Sequence, residues 1–273
     1  MPTSFATKPQ CLILLAPFGY AFLSRYHWPR DFVVNALTAW VPGVILVALL
    51  GDLPVGAATM TYLLGYAAFI CIYEVGYLAN DTIGLRHDAT PRRRVDHDPS
   101  FGFVLAFVVV RLGVVLAAAV GLSVAASGLF WAAIAALLAA LVAHNTLRAV
   151  ELKFYTFMQL SLFRFSLPVL PILIVKEDTV AILIVLATAL LLFSLPRFLT
   201  YLDAKGRLSL PERKARSYHL KAYIAVLPLV ALLSILTAEP APMVCLLWAV
   251  LVQIIYVVRA TAPRWRRQGA MQP

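Results

Sequence analysis

Apolar residues in this chain come in long runs broken by short polar connections. Eight stretches, at about 32–50, 61–79, 101–120, 124–143, 155–175, 179–199, 220–238 and 241–259, are apolar over most of their length. Each is close to the roughly 17 to 25 residues that a helix needs to cross a bilayer. None alternates with a period of two, as barrel strands would. The pattern predicts an all-α integral membrane protein, a bundle of eight transmembrane helices. A further run, "CLILLAPFGYAFL" from Cys11 to Leu23, is shorter and is interrupted by Pro17 and Gly19. Its length predicts a re-entrant or interfacial helix, and it would make a ninth crossing only if stretched. It lacks the basic start and small-residue cleavage site of a signal peptide, so it is read as part of the mature chain. The expected organisation is an N-terminal interfacial or re-entrant segment over 1–31, a single transmembrane domain over 32–259 and a basic cytoplasmic tail over 260–273.

Composition agrees with this reading. The chain is 62% hydrophobic and 13% charged, against about 25% charged in soluble domains. The net charge of +10 raises the question of nucleic acid, but the positions of the charges argue for topology instead. Arg25 and Arg30 precede the first span, and Arg86, Arg92, Arg93 and Arg94 lie in the second connection. Arg148 and Lys153 lie in the fourth, Arg197, Lys205, Arg207, Arg213, Lys214, Arg216 and Lys221 in or beside the sixth, and Arg259, Arg264, Arg266 and Arg267 in the tail. The opposite connections carry Lys176 as their only base. By the positive-inside rule the basic face is cytoplasmic, as in a multi-pass protein of an inner membrane. Cys11, Cys71 and Cys245 have no paired spacing and read as small buried hydrophobes.

Acids are rare, 13 in all, and five of them, Glu74, Asp81, Asp88, Asp96 and Asp98, cluster around the second connection. At about 100° per residue Glu74, Tyr77, Asp81 and Asp88 share one helical face, a stripe from within the membrane to its edge. An acid inside a span is costly and faces a polar cavity or a partner. Arg111 and Arg164, in "FVVVRLGVV" and "LSLFRFSLP", are two further charges inside spans. One of them would neutralise Glu74, or they would contact substrate. Carboxylates beside arginines in a low-dielectric cavity suit an anionic phosphate gripped through magnesium, since Mg²⁺ takes few carboxylates plus phosphate oxygens and Arg binds phosphate as a fork. The other reading of the same residues is a capped helix end with a solvated charge run.

"NDTIGLRHD", Asn80 to Asp88, resembles the N-D-x-x-D-x-x-x-D motif of the UbiA-type intramembrane prenyltransferases, which follows their second helix on the cytoplasmic side. Asn80, Asp81 and Asp88 match, and Gly84 stands at the middle Asp. The family's second motif, D-x-x-x-D-x-x-x-G-x-x-T-L-P, resembles "LTYLDAKGRLSLPER". Gly206, Ser209, Leu210 and Pro211 match, while Asp203 is one place off the frame. A variant outline, D-x-x-G-D, matches Asp203 and Gly206 and puts Arg207 at its last Asp. Four predicted helices separate Asp81 from Asp203, as two facing motifs of a four-plus-four bundle require.

The resemblance implies a Mg²⁺-dependent membrane transferase acting on a polyprenyl phosphate or diphosphate, with release of pyrophosphate when a prenyl group passes to an acceptor. It implies Asp81, Asp203 and Glu74 as catalytic acids and Asp81, Asp88 and Asp203 as metal ligands. It also implies Asn80, Arg92, Arg93, Arg148, Lys153 and Arg207 around the phosphates. A branch of the superfamily transfers phosphoribose from phosphoribosyl pyrophosphate to a polyprenyl phosphate, and "DATPRRR" resembles its Pro-Thr-basic stretch with Thr and Pro exchanged. A non-enzymatic lipid-phosphate carrier, or a degenerate member acting as a partner protein, is the alternative from another class. The histidines at 27, 87, 97 and 219 have no metal-ligand spacing and are expected in solvated or head-group roles. No Gly-rich nucleotide loop, G-x-S-x-G elbow or H-E-x-x-H appears.

Overall fold

The computed structural model describes residues 8–25, 29–83, 99–211, 215 and 217–261. These residues are helical apart from short connections, and no strand occurs among them. Two short helices, α1 (Lys8–Leu15) and α2 (Gly19–Arg25), precede α3 (Pro29–Asn35), which runs through a π-helical turn, Ala36–Trp40, into α4 (Val41–Gly51). Next come α5 (Val55–Thr82), α6 (Phe101–Gly121), α7 (Gly128–Thr146), α8 (Val150–Ser166) and α9 (Leu170–Val175). A second π-helical turn, Leu190–Ser194, joins α10 (Thr179–Ala189) to α11 (Leu195–Ala204), and α12 (Tyr218–Thr237) and α13 (Ala241–Thr261) complete the bundle.

Among the described residues seven helices are long and apolar enough to cross a membrane: Phe32–Gly51, Val55–Thr82, Phe101–Gly121, Gly128–Thr146, Thr179–Ala204, Tyr218–Thr237 and Ala241–Arg259. The chain is therefore a multi-pass helical membrane protein. The eighth expected span, 155–175, differs. It is divided into α8 and α9 because Pro168 and Pro171 have no N–H to continue the helical ladder. The chain turns the corner with a short-range bond, Val169 N–H to the Ser166 carbonyl at 2.9 Å, and Pro171 then fits the first turn of α9, where a missing N–H costs nothing. The fourth span starts at Gly128, later than expected, because the Ser127 hydroxyl caps it by accepting from the Phe130 N–H.

The two π-helical turns have one cause. In each, the N–H that closes the turn bonds the carbonyl five residues back, Val41 to Ala36 and Leu195 to Leu190. A proline follows immediately, Pro42 or Pro196. A proline cannot donate to a carbonyl behind it, so the ladder slips by one residue to pass it. The Leu37 carbonyl, which Pro42 cannot serve, instead accepts from the Trp248 indole N–H at 2.8 Å. This ties α13 to the first bulge.

The long α5 is the centre of the bundle and packs on α2, α4, α6, α7 and α9. Glycines let its neighbours approach: a Cβ at Gly65 would lie 2.3 Å from the Pro168 carbonyl oxygen, and one at Gly76 would lie 2.4 Å from the Leu141 side chain. The α8–α9 break thus seats on α5 at a place where only glycine fits. Gly65→Ala is expected to cost about 1–3 kcal/mol, the usual range for overpacking, seen as a lower thermal unfolding temperature in detergent. Gly113→Ala, where nothing lies within 4 Å, should leave that temperature unchanged or raise it.

Candidate functional site

Glu74 on α5 and Arg111 on α6 are both fully buried, and they form an ion pair with 3.0 Å between Oε2 and Nη2. The pair also serves the backbone. Between α1 and α2 the chain turns sharply at Phe18, which has a left-handed φ of 72°, and the Gly19 N–H to Ala16 carbonyl bond at 3.0 Å across the turn leaves further groups at both helix ends to be met. Arg111 donates to the carbonyls of Leu14 (2.8 Å), Leu15 and Ala16 (2.9 Å). Glu74 accepts from the N–H groups of Phe18 (3.1 Å) and Ala21 (2.8 Å). The cation thus meets the C-terminal end of α1 and the anion the N-terminal end of α2, which is also the favourable sense for their dipoles. The Arg111 guanidinium lies 3.6 Å above the Phe107 ring.

This docking puts Tyr20 and Arg25 of α2 against the last turns of α5, beside Asp81, whose side chain is fully buried. Its Oδ2 accepts from the Tyr20 hydroxyl at 2.9 Å, Arg25 Nη2 lies 3.2 and 3.3 Å from the two oxygens, and the Asn80 amide donates to Oδ1 at 3.1 Å. The Arg25 guanidinium is stacked 4.2 Å from the centre of the Tyr77 ring.

The second predicted motif forms a closed loop. Asp203 Oδ1 accepts from the Leu210 N–H at 2.9 Å, and Gly206 makes the turn with φ 68°. Arg207 pairs with Glu151 at 3.0 Å, with both side chains more than half exposed, so the pair adds little stability. Arg148 is exposed and Lys153 half-buried near the start of α8. Among the described residues no three His, Cys, Asp or Glu side chains come together as a metal site would need. Asp88, Arg92 and Arg93 lie outside the described residues.

Of the cavities among the described helices, two share a residue. The larger, about 260 Å³, is lined by α3, α8, α11, α12, α13 and both π-helical turns. Its polar wall holds Asn35, Thr38, Ser161, Arg164, Arg197, His219, Tyr223 and Gln253, its apolar wall includes Val34, Phe165, Leu192 and Phe193, and among the described residues no carboxylate lines it. Phe165 and Phe193 stack with centroids 3.6 Å apart. Arg164 Nη2 donates to Asn35 Oδ1 at 2.7 Å, while the buried Asn35 Nδ2 has no acceptor among the described residues. Arg197 and His219 are exposed at the rim. The smaller cavity, about 110 Å³, is lined by Ala21, Arg25, Phe69, Ile70, Tyr73, Tyr77 and again Arg164. Arg164 is thus common to both.

The sequence stripe does bring Glu74, Tyr77 and Asp81 to one side of α5, with Asn80 beside Asp81. It missed Asn35, Arg197, His219, Tyr223 and Arg25 as cavity residues, because the arginines read as topology signals and His219 as a solvated loop residue. The available signal was Val-Pro and Leu-Pro inside two otherwise unbroken spans. The chain matches no protein-family model, no curated protein and no solved structure.

The ion pair generates a prediction. Glu74→Gln or Arg111→Gln alone leaves a buried charge without its partner, a loss of about 3–5 kcal/mol. Thermal unfolding in one detergent should show each single variant falling steeply. The double variant should fall no further than the worse single, because the two side chains act as a unit.

Proposed function

We propose that the chain is a membrane-embedded transferase of the UbiA-like type, working on a polyprenyl phosphate or diphosphate. The observation that carries this reading is the larger cavity, where Arg164, Arg197 and His219 line a hole inside an apolar bundle with no carboxylate on its wall among the described residues. Guanidinium groups in such a place favour a phosphate, which they bind as a fork, and the aromatic and aliphatic wall suits an isoprenoid tail. With α8 and α9 counted as one broken crossing the bundle has eight. The basic connections, read by the positive-inside rule, support a rim of the cavity that faces the cytoplasm of an inner membrane.

Two donors fit this reading. With an allylic prenyl diphosphate, the carbon–oxygen bond breaks toward the diphosphate, and Arg164 and Arg197 stabilise the negative charge that departs. With phosphoribosyl pyrophosphate, the lipid phosphate is held by the same arginines and is the acceptor. The second version is favoured by the cavity wall, which carries no acid among the described residues, since a lipid monophosphate can be held by guanidinium groups alone.

The resemblance also implies Mg²⁺. Both oxygens of Asp81 are engaged by Arg25, Tyr20 and Asn80, and Asp203 is bonded within its own loop. The described residues do not make a magnesium site. Magnesium stays in the proposal as the companion of a diphosphate substrate, held chiefly by phosphate oxygens and water.

Pyrophosphate release by the purified full-length chain in lipid nanodiscs tests the proposal. One tube receives an allylic prenyl diphosphate with a mixed acceptor pool, the other phosphoribosyl pyrophosphate with polyprenyl phosphate, each with Mg²⁺ or EDTA. Release is expected in one tube, falling at least about tenfold in Arg164→Gln and in Arg197→Gln, the loss of one charged hydrogen bond or more. Silence in both tubes from folded protein would replace the transferase with a lipid-phosphate carrier.

A further inference from the structure

The place where a magnesium ligand is expected holds an internal cation instead. Resting on the lipid-phosphate reading above, we infer that Asp81 is the anchor of Arg25, and that Arg25 and Arg164 form a metal-independent clamp for a phosphate group in the smaller cavity. Metal coordination needs carboxylate lone pairs directed at the ion. At Asp81 they already accept from a phenol, an amide and a guanidinium, and the side chain is sealed from solvent. A second ion at this carboxylate would have to displace Arg25, which is itself held flat on Tyr77.

Arg25 is built to be read from its other side. Only Nη2 is turned to Asp81. Its Nε is buried and has no acceptor among the described residues, and the side chain lines the smaller cavity together with Arg164. Among the described residues no carboxylate lines that cavity. Stacking and the Asp81 contact fix the plane of the guanidinium before any ligand arrives, so little rotamer freedom is lost on binding. A phosphate between Arg25 and Arg164 would find two guanidinium groups where the resembled motif has a metal. Asp81 then acts as a positioning residue, since it touches the cation and not the ligand.

The two roles of Asp81 predict opposite signs for one substitution. A metal ligand is needed for phosphate binding, whereas an anchoring anion offsets part of the charge that attracts phosphate. The measurement is equilibrium binding of farnesyl phosphate to the full-length protein in phosphatidylcholine nanodiscs, in EDTA and in excess Mg²⁺. Farnesol and inorganic phosphate serve as competitors. Wild-type affinity is expected to agree within about twofold between the two conditions, and Arg25→Gln to weaken it about tenfold or more. Inorganic phosphate should compete and farnesol should not. Asp81→Asn should bind as tightly as wild type or more tightly. If Asp81→Asn does not fold, Tyr20→Phe, which removes one donor from Asp81 and no charge, should remain insensitive to Mg²⁺. Binding that requires Mg²⁺ and disappears in Asp81→Asn, or that becomes Mg²⁺-dependent in Tyr20→Phe, would sink the clamp while leaving the lipid-phosphate reading in place. Failure of wild type to bind farnesyl phosphate in either condition would sink that reading and the clamp with it.

Discussion

A helix that breaks inside an apolar medium exposes carbonyls and N–H groups that no water can satisfy, and each costs several kcal/mol. The break between α1 and α2 survives because Glu74 and Arg111 meet those groups from α5 and α6. Neither residue could do so alone, since an isolated buried charge is far more costly than the hydrogen bonds it would make. The ion pair and the broken helix are therefore mutually dependent: the pair is neutral because it is a pair, and it is useful because the break gives it polar partners. The direction of α2 follows from this, and so do the positions of Tyr20 and Arg25 against Asp81.

The larger cavity has a related origin in the backbone. Pro42 and Pro196 each force a slip in the helical ladder, and both slips lie on its wall through Thr38, Ala39, Leu192 and Phe193. A π-helical turn widens a helix and redirects side chains, which keeps neighbours from closing on it. The orphaned Leu37 carbonyl is repaired from α13 by Trp248, so the first defect also recruits the helix that supplies Gln253. Backbone irregularity in a membrane is tolerated where protein covers it or where it lines a polar cavity, and both conditions are met here.

Long apolar runs were legible because a bilayer-length stretch of nonpolar residues has few other uses, and seven of the eight resolve as uninterrupted helices. The 155–175 run hid its division, since hydropathy is indifferent to Pro168 and Pro171 while the hydrogen-bond ladder is not. That one of two arginines inside spans would meet Glu74 was an open alternative in the sequence. The choice of Arg111 depends on α1 and α2 packing against α5 and α6, a contact between segments more than fifty residues apart. The same holds for Arg25, which reads as an ordinary topology charge until its helix is docked. Asp203 shows the opposite limit, since a motif-like spacing around Gly206 also describes a loop that closes on its own aspartate.

The charges inside the bundle are met in different ways. Arg111 is met by a carboxylate and three carbonyls, Arg25 by a carboxylate through one edge, and Arg164 donates to the amide oxygen of Asn35. An amide oxygen satisfies a donor without adding a negative charge, and Arg164 lines both cavities. Replacing Asn35 by an aspartate would set a carboxylate against Arg164 and weaken the field that draws an anion inward.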